Sequence, residues 1–446
     1  MEIWAKSFWV LGSLLGASMA QAENHPPADA NWIMNDGSTS LLVVREPQGP
    51  PPGLDLPEGV VPPPPQVMDE DDILGAFARV NVLEVENTGD YTRIKTAYVP
   101  EYEVLVTQDM MDQLLARPKF ETDFPDGVLV SVGDTVRFGQ DIGYSGDTCT
   151  EGAGLGFWPP ATFCATGISI DNFIPNTPEP TEDICYTTLA DVGIFMNGTV
   201  LFNWSDGQSY GAQGDWHNMA HIYEAYDFDI CQGHAVEGMY HHHGYSQCLN
   251  DAIGDTGDGH SPIWGYAADG FAIHGPWHDA GVLAQSSWRV RDYASEAEGC
   301  GEDGDRSCIM NDLLNPMSGT RPVSQGPAVG EFGKSMFSQN DIVLENGAFF
   351  EDYVFDAALQ TTPASLDAYN GHDHDGLGYH YHITTDASMN PVFPYSFGPM
   401  YRGRLHDNAI TSCGATAMEF PAGPISEASN QSIDLGDAQW TVLIAD

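Results

Sequence analysis

Two short histidine-rich windows hold the residues best suited to chemistry in this 446-residue chain. The first contains His234 and the tetrad Tyr240-His241-His242-His243. The second contains His372, His374 and the tetrad Tyr379-His380-Tyr381-His382. Because successive side chains of a β-strand point to opposite faces, histidines two positions apart in each tetrad share one face.

Paired imidazoles on one strand face are typical ligands of zinc and copper, which bind histidine nitrogen at about 2.0–2.1 Å. Four such histidines from two paired strands would complete one shared site, whereas three would leave a position open for water or substrate. Copper is favoured over zinc because tyrosines and Met239 stand beside these histidines, although imidazole alone serves either metal. The predicted ligands are the tetrad pairs and three neighbouring histidines: His241, His243, His380, His382, His234, His372 and His374.

A structural role is the alternative for the same residues. Tyrosine and histidine are common in half-buried strands, where hydrogen bonds satisfy them.

Other candidate motifs are weaker. The spacing of His217 and His221 suits helical ligands, but the flanking residues do not establish a helix, so we interpret both as structural. No HExxH motif is present, and the one G-x-S-x-G, at 207–211, has polar flanks that indicate a loop rather than a nucleophile elbow.

The charge balance excludes some classes of partner. A formal net charge of -49 argues against binding nucleic acid or anionic lipid, because both need lysine and arginine. The acidic stretches Asp69–Asp72, Asp255–Asp258 and Glu302–Asp305 could collect calcium, but none has the EF-hand pattern. Calcium is therefore only a secondary candidate beside a transition metal.

Residues 1–22 predict an export signal, with Lys6, an apolar stretch Phe8–Ala17 and the small-residue site Ala20–Ala22. No later segment predicts membrane insertion, so the expected address is secreted or periplasmic. All eight cysteines follow the signal, and an even number in an exported chain predicts disulfides. Sequence neighbours suggest three pairings among many that remain open: Cys149–Cys164, Cys231–Cys248 and Cys300–Cys308.

The rest of the chain divides into an N-terminal segment with a proline-rich linker (23–67), a β-rich part (68–190) and a last domain (191–446). Short strand patterns between glycine- and proline-rich loops predict a mainly β fold, an antiparallel sandwich or barrel with long ordered loops and few short helices. Local signals predict a helix capped by Thr107, a type I′ hairpin at Asn197-Gly198, a turn at Asp269-Gly270 and a strand over Gln439–Ile444.

Six motifs follow one another in the stretch from Val192 to Tyr401. They are Asp229-Ile-Cys-Gln-Gly-His234, Gly238-Met-Tyr-His-His-His-Gly244, His260-Ser-Pro-Ile-Trp-Gly-Tyr-Ala-Ala-Asp-Gly-Phe-Ala-Ile-His-Gly-Pro276, Leu366-Asp-Ala-Tyr-Asn-Gly371, Tyr379-His-Tyr-His-Ile-Thr384 and Phe393-Pro-Tyr395. This succession resembles the YHYH domain family of secreted bacterial proteins. The resemblance implies one domain that holds both tetrads and begins near the Asn197-Gly198 hairpin, and it implies no established activity. Two positions depart from the pattern, because His242 and His274 replace tyrosines, and both changes add imidazole to the pool of ligands.

Three functions are consistent with the sequence. The first is a secreted protein that binds a transition metal through paired His-x-His strands. The second is a metal-dependent enzyme, either a hydrolase that uses metal-bound water or a copper oxidase that uses a nearby tyrosine, with no substrate indicated. The third is a non-catalytic structural or surface protein, and the sequence identifies no protein partner for any of the three.

Overall fold

The computed structural model describes residues 26–34, 39–41, 76–78, 82–96, 102–117, 119–137, 142–143, 170–189, 191–236, 239–294, 304–310, 319–320, 324–336, 339–374, 376–414, 433–434 and 439–440. The predicted export signal, the proline-rich linker and the cysteines at 149, 164 and 300 lie outside these residues.

Short strands dominate the chain. Those before the central sheet are β1 (Thr39–Leu41), β2 (Ala76–Ala78), β3 (Val82–Asn87), β4 (Tyr91–Thr96), β5 (Glu103–Leu105), β6 (Thr135–Arg137) and β7 (Ile170–Pro175), with helices α1 (Gln108–Leu115) and α2 (Phe120–Asp123). Next come β8 (Asp191–Phe195), β9 (Val200–Phe202), β10 (Ser205–Ser209), β11 (His217–Met219), α3 (Ala220–Tyr223), β12 (Gly233–Val236), β13 (Met239–His242), α4 (Gln247–Ile253), β14 (Ile263–Ala267) and β15 (Ala272–His274). The remaining strands are β16 (Trp277–Asp279), β17 (Val282–Leu283), β18 (Trp288–Val290), β19 (Ile309–Met310), β20 (Gly319–Thr320), β21 (Glu331–Lys334), β22 (Asp341–Leu344), β23 (Tyr353–Phe355), β24 (Gly371–His374), β25 (Gly378–His382), β26 (Ile433–Asp434) and β27 (Gln439–Trp440). Single 3-10 turns occupy Pro27–Asp29, Tyr210–Ala212, Phe350–Asp352 and Ala357–Leu359.

The mainly β prediction is confirmed. The described residues form several small antiparallel sheets and one eight-stranded sheet, and the helices are few and short. The eight-stranded sheet is open, since β12 and β24 are its two edges, so the sandwich-like form of the prediction holds and the closed barrel does not. The helix predicted at Thr107 is α1, where the Met110 N–H donates to Thr107 Oγ1 at 3.2 Å. Of the strand predicted over Gln439–Ile444, the structure describes only Gln439–Trp440, which form β27.

The central sheet consists of two halves with the same topology. Its order is β12-β13-β9-β8 followed by β14-β15-β25-β24. In each half an antiparallel hairpin (β8–β9 or β14–β15) pairs in parallel with a tetrad strand (β13 or β25). The tetrad strand pairs antiparallel with an edge strand (β12 or β24). The halves meet where β8 and β14 run antiparallel and Ile194 faces Tyr266, so a pseudo-twofold axis relates them.

The two hairpins, β8–β9 and β14–β15, have matching turns. Gly198 has φ 80° and its N–H donates to the Phe195 carbonyl at 2.8 Å, and Gly270 has φ 93° and donates to the Ala267 carbonyl at 2.9 Å. Only the glycine of Asn197-Gly198 has positive φ, whereas a type I′ turn needs it at both positions. The predicted hairpin is present, but the type I′ assignment is wrong: the connection is a three-residue loop with a left-handed glycine.

The core extends across the boundary predicted at 190/191. Ile94 of β4 and Ile174 of β7 share a buried cluster with Ile194 and Tyr266 at the centre of the large sheet.

Two disulfides link cysteines among the described residues. Cys231–Cys248 confirms one predicted pair, and Cys185–Cys413 joins positions 228 residues apart that sequence proximity did not indicate. Cys308 is also disulfide-bonded, to a partner outside the described residues.

Candidate metal centres

The first centre lies where β12 and β13 pair. His234 is directly opposite His241 in the register, and His243 follows on the same face, so three imidazoles converge. The Nε2 atoms of His241 and His243 are 3.2 Å apart. All three side chains are buried, and their ligand atoms lie within 4.8 Å of one another.

Hydrogen bonds on the far side of the rings orient this pair. The Nδ1 atom of His241 contacts the Met239 carbonyl at 3.1 Å, and that of His243 contacts the Asn203 carbonyl. Because a carbonyl only accepts, each Nδ1 carries a proton, and two rings that are both neutral would face each other with Nε2 lone pairs and no hydrogen between them. Two nitrogens bound tetrahedrally at about 2.05 Å would be about 3.3 Å apart, so a cation fits the observed separation.

Glu224 and aromatic rings enclose the first centre. Glu224 Oε2 lies 3.3 Å from His243 Nε2 and 3.5 Å from His234 Nε2. Phe202 stacks on the His241 ring, with centroids 3.8 Å apart, and Phe228 packs against His234. Burial holds the pKa of His234 and His241 well below the usual value and raises the pKa of Glu224 to about 7.

The second centre lies where β24 and β25 pair, and it repeats this arrangement. His372 is opposite His380, and His382 follows on the same face. The separations between Nε2 atoms are 3.2 Å for His380–His382 and also for His372–His382. A fourth ring, His260, comes from the loop before β14, and its Nε2 is 3.1 Å from His380 Nε2.

All four rings of the second centre are anchored through Nδ1. Each contacts one backbone carbonyl: His380 that of Gly378 (2.9 Å), His382 that of Gly275 (2.7 Å), His372 that of Pro363 (3.0 Å) and His260 that of Ser261 (2.8 Å). Burial is the main cause that lowers the pKa of each ring, to about 4 for His372 and further for His380 and His382. Neutral rings with inward lone pairs form a ligand set that is ready for a cation.

More histidines surround the second centre. The His274 ring is 4.3 Å from the His380 ring between centroids, and its Nδ1 contacts the Ser261 carbonyl. The ring of His374, which the sequence predicted as a ligand, is 4.8 Å from His260 and 4.9 Å from His278 between centroids. His374 therefore lies beside the four converging rings rather than among them. A pocket reaches this region and is lined by Phe271, His274, Leu377 and His380, among others.

The tyrosines of the tetrads support the strands from the opposite face. Tyr240 donates to Asp229 Oδ2 at 2.8 Å, and Tyr379 donates to Asp367 Oδ2 at 3.0 Å. Asp229 and Asp367 each accept two backbone N–H groups of the turn that leads into β12 or β24. The tyrosines face away from the histidine clusters, so their proximity in sequence is no argument for copper.

The two tetrads differ on that opposite face. Tyr381 donates to Asp269 Oδ2 at 2.6 Å, so Asp269 both forms the predicted turn and supports the second tetrad. At the equivalent place in the first half, His242 Nε2 is 2.8 Å from the Tyr102 hydroxyl, which in turn accepts from Asn197 at 3.0 Å. Tyr102 therefore supplies the phenol that His242 lacks. The expectation that His242 adds to the ligand pool is wrong, because its ring points to the other face.

The two tetrads do not share one site. Four strands lie between β13 and β25 in the sheet, which separates the tetrads by about 24 Å at the usual strand spacing of 4.7–4.9 Å. Each tetrad instead combines with its own edge strand. In the described part of the chain, groups of at least three close histidine, cysteine or carboxylate ligands number two, one at each centre.

Sequence reasoning missed His260 and Glu224. Neither stands in a ligand-like spacing, because each comes from a connecting loop that only the fold brings to the strands. His221 is also near the first centre, with its ring 6.2 Å from His243 between centroids. Among the acidic stretches considered for calcium, residues 69–72 and residues 302 and 303 lie outside the described residues. In the remaining stretch, Asp255 accepts a hydrogen bond from the Trp264 indole at 2.9 Å.

Comparison with known proteins gives one match. The family model described as YHYH protein matches residues 172–308, which include the first tetrad but not the second. No curated protein and no solved structure matches the chain. Within the described residues, the structure contains no helix that is both long and apolar enough to span a bilayer.

Proposed function

Residues 172–308 match the YHYH protein family, and from that premise we propose that the chain is an exported transition-metal-binding protein with two metal centres. The observation that carries the proposal is the same at both centres: imidazole Nε2 atoms converge at 3.1–3.2 Å while their Nδ1 atoms are held by backbone carbonyls. Without a cation, the buried lone pairs would repel one another. A metal-bound histidine typically donates its other N–H to such a carbonyl.

Copper is the favoured ion, with zinc second. Both metals bind imidazole nitrogen, and for divalent ions the Irving–Williams order places copper above zinc for a given site. The excess of acidic side chains would raise the local concentration of any cation. Disulfides in the described residues fit an oxidising compartment, which is consistent with export.

Metal analysis of the purified protein tests the proposal. After supplementation with copper or zinc and removal of excess ion, native mass spectrometry is expected to find two ions per chain. A variant with alanine at His241, His243, His380 and His382 is expected to bind none, and a His406→Ala control is expected to keep both. Absence of stoichiometric copper, zinc, iron or manganese in the wild type would reject the proposal.

A second candidate function is metal-dependent catalysis at the second centre. The pocket that reaches His274 and His380 favours it, because a reactive centre needs access for a substrate. A screen for oxidase and hydrolase activity tests it. An activity is expected to disappear in His380→Ala/His382→Ala and to survive in His241→Ala/His243→Ala, and equal loss in both variants would argue against this assignment.

A further inference from the structure

The two centres have three equivalent histidines but different surroundings at the fourth position. In the second centre that position is filled by His260, and no histidine occupies it in the group formed by His234, His241 and His243. We propose that Glu224, which lies beside this group with its Oε2 3.3 Å from His243 Nε2 and 3.5 Å from His234 Nε2, closes on a bound cation as the fourth ligand of the first centre. That centre would then be a three-histidine, one-carboxylate site beside an all-imidazole site. This inference rests on the proposed metal-binding function.

Backbone hydrogen bonds fix the position of Glu224. It follows α3, and its N–H donates to the Ala220 carbonyl at 2.8 Å. Its own carbonyl accepts from Asp227 at 2.8 Å and from Phe228 at 3.2 Å. The side chain therefore projects from a defined turn, and its Oε2 reaches within 3.3 Å of His243 Nε2.

The nearest partners of this carboxylate are the Nε2 atoms of His243 and His234, which are also the nitrogens that would bind a cation. Glu224 is 4% exposed, and no hydrogen-bond donor in the described residues reaches its Oε2. The Asn203 carbonyl takes the Nδ1 proton of His243, and an Nε2 that bears no proton faces Oε2 with a lone pair rather than a donor. A buried unpaired carboxylate is strongly unfavourable, and a metal ion bound by Oε2 and the nearby Nε2 atoms would compensate it.

The difference in donor charge predicts different ion preferences. The first centre has one negative ligand in a fully buried site, which offsets part of the cost of burying a divalent ion. The second centre has only neutral imidazoles, and His260 and His372 are partly exposed there. We therefore expect the first centre to prefer divalent ions, and the second centre to accept monovalent copper as well.

The fourth donors come from segments that the sheet symmetry does not relate. Glu224 lies between α3 and β12, whereas His260 lies between α4 and β14. The repeated sheet supplies three imidazoles to each centre, and a separate loop completes each set. Replacement of one fourth donor is therefore expected to leave the other centre unchanged.

Zinc titration against a chromophoric chelator tests the role of Glu224, with Glu351→Gln as the matched control. Glu351 is another buried carboxylate beside a histidine, at 2.5 Å from His217 Nδ1, and it lies outside both centres. The wild type and E351Q are expected to bind two ions. E224Q is expected to bind one ion with unchanged affinity and the other ion at least about 100-fold more weakly. Loss of a group that only hydrogen-bonds to a metal ligand costs up to about 100-fold in affinity, and loss of a ligand itself should cost at least as much.

Two further measurements keep the inference testable if E224Q folds poorly. In a crystal structure of the zinc-loaded wild type, a Glu224 oxygen is expected at about 2.0–2.2 Å from the first ion. In an anaerobic titration with monovalent copper, zinc is expected to stay at the first centre while copper enters the second. Two ions with unchanged affinities in E224Q, or a first ion without Glu224 in contact, would overturn this inference and leave the proposed function intact. A wild type that binds no ion would overturn the proposed function itself.

Discussion

The first and second centres are built on the same sheet positions but differ in their loops. In both, an edge strand and a tetrad strand bring three imidazoles together, and the Nδ1 atoms of the tetrad histidines contact the same kinds of backbone carbonyl. The first centre is buried beside Glu224, whereas the second has His260, three further rings nearby and a pocket. The comparison shows that the repeated strands determine where a cation fits, and that the loops determine its charge environment and access.

The opposite face of the sheet shows a second difference. In the second half, Tyr381 reaches Asp269 directly. In the first half, His242 is too short to make that contact, and Tyr102, from outside the repeat, bridges it to Asn197. One half therefore depends on the β-rich N-terminal part for a contact that the other half makes internally.

The largest expected effect comes from removing one centre at a time. His241→Ala/His243→Ala is expected to lose one ion and His380→Ala/His382→Ala the other, because the centres share no ligand. Each bound ion stabilises the fold by about 4 kcal/mol when free metal is about 1,000 times Kd, so each variant should lose that metal-dependent increment. Native mass spectrometry and thermal unfolding with and without chelator measure both effects. Loss of both ions in either variant would contradict independent centres.

Alanine at the glycines behind each tetrad tyrosine should destabilise both halves similarly. An added Cβ at Gly233 would overlap the Tyr240 hydroxyl, and one at Gly371 would overlap the Tyr379 hydroxyl. We expect each substitution to lower the free energy of unfolding by about 1–3 kcal/mol, as for other overpacked sites. Gly259→Ala is the control, because open space surrounds that position. Chemical denaturation of the metal-free proteins measures the change. An unchanged free energy of unfolding at either glycine would show that the two halves are not equivalent.

Tyr102→Phe should destabilise the first half without affecting the second. Removal of the hydroxyl leaves the buried His242 Nε2 and Asn197 amide without this partner, at a cost of about 1–3 kcal/mol. Tyr245→Phe is a suitable control, because the Tyr245 hydroxyl contacts the exposed side chain of Gln247, which can bind water instead. Hydrogen exchange should show faster opening near β13 and unchanged protection near β25. Equal acceleration at both strands would argue against a local role.

The last expected effect is on the pH dependence of stability in the metal-free protein. Burial raises the pKa of Asp229 to about 8, whereas an unfolded chain releases this proton near pH 4. The folded state then holds a proton that the unfolded state has lost, so this group lowers the free energy of unfolding as pH rises from about 4 to about 8. Asp229→Asn should flatten that slope in urea unfolding at pH 5 and pH 8.

Asp367→Asn provides the comparison for the pH experiment. Burial also raises the pKa of Asp367, and the shift is opposed by hydrogen bonds from Gly371, Tyr369 and Tyr379 and then by the positive charge of Arg402. We therefore expect a smaller change in slope than at Asp229. A steeper change at Asp367 would contradict the assignment of burial as the dominant cause.

Much of the candidate site was predictable because strand geometry is local. The alternation of side chains predicted that His380 and His382 share one face. Asn197-Gly198 indicated the first hairpin, and Asp269-Gly270 indicated the turn of the second. The separation of the tetrads was not predictable, because the order of strands in a sheet depends on long-range pairing. A one-sheet arrangement with β13 beside β25 would have satisfied the same local pattern.

The amino-acid sequence by itself determined the β class and the paired histidines, since both follow from spacing along the chain, and it suggested the disulfide between Cys231 and Cys248 that the structure contains. Only the tertiary structure decided that there are two centres, that His260 and Glu224 lie beside them, and that His242 faces away. The physical reason is that strand periodicity determines which side chains share a face, while contacts between distant segments determine which faces meet.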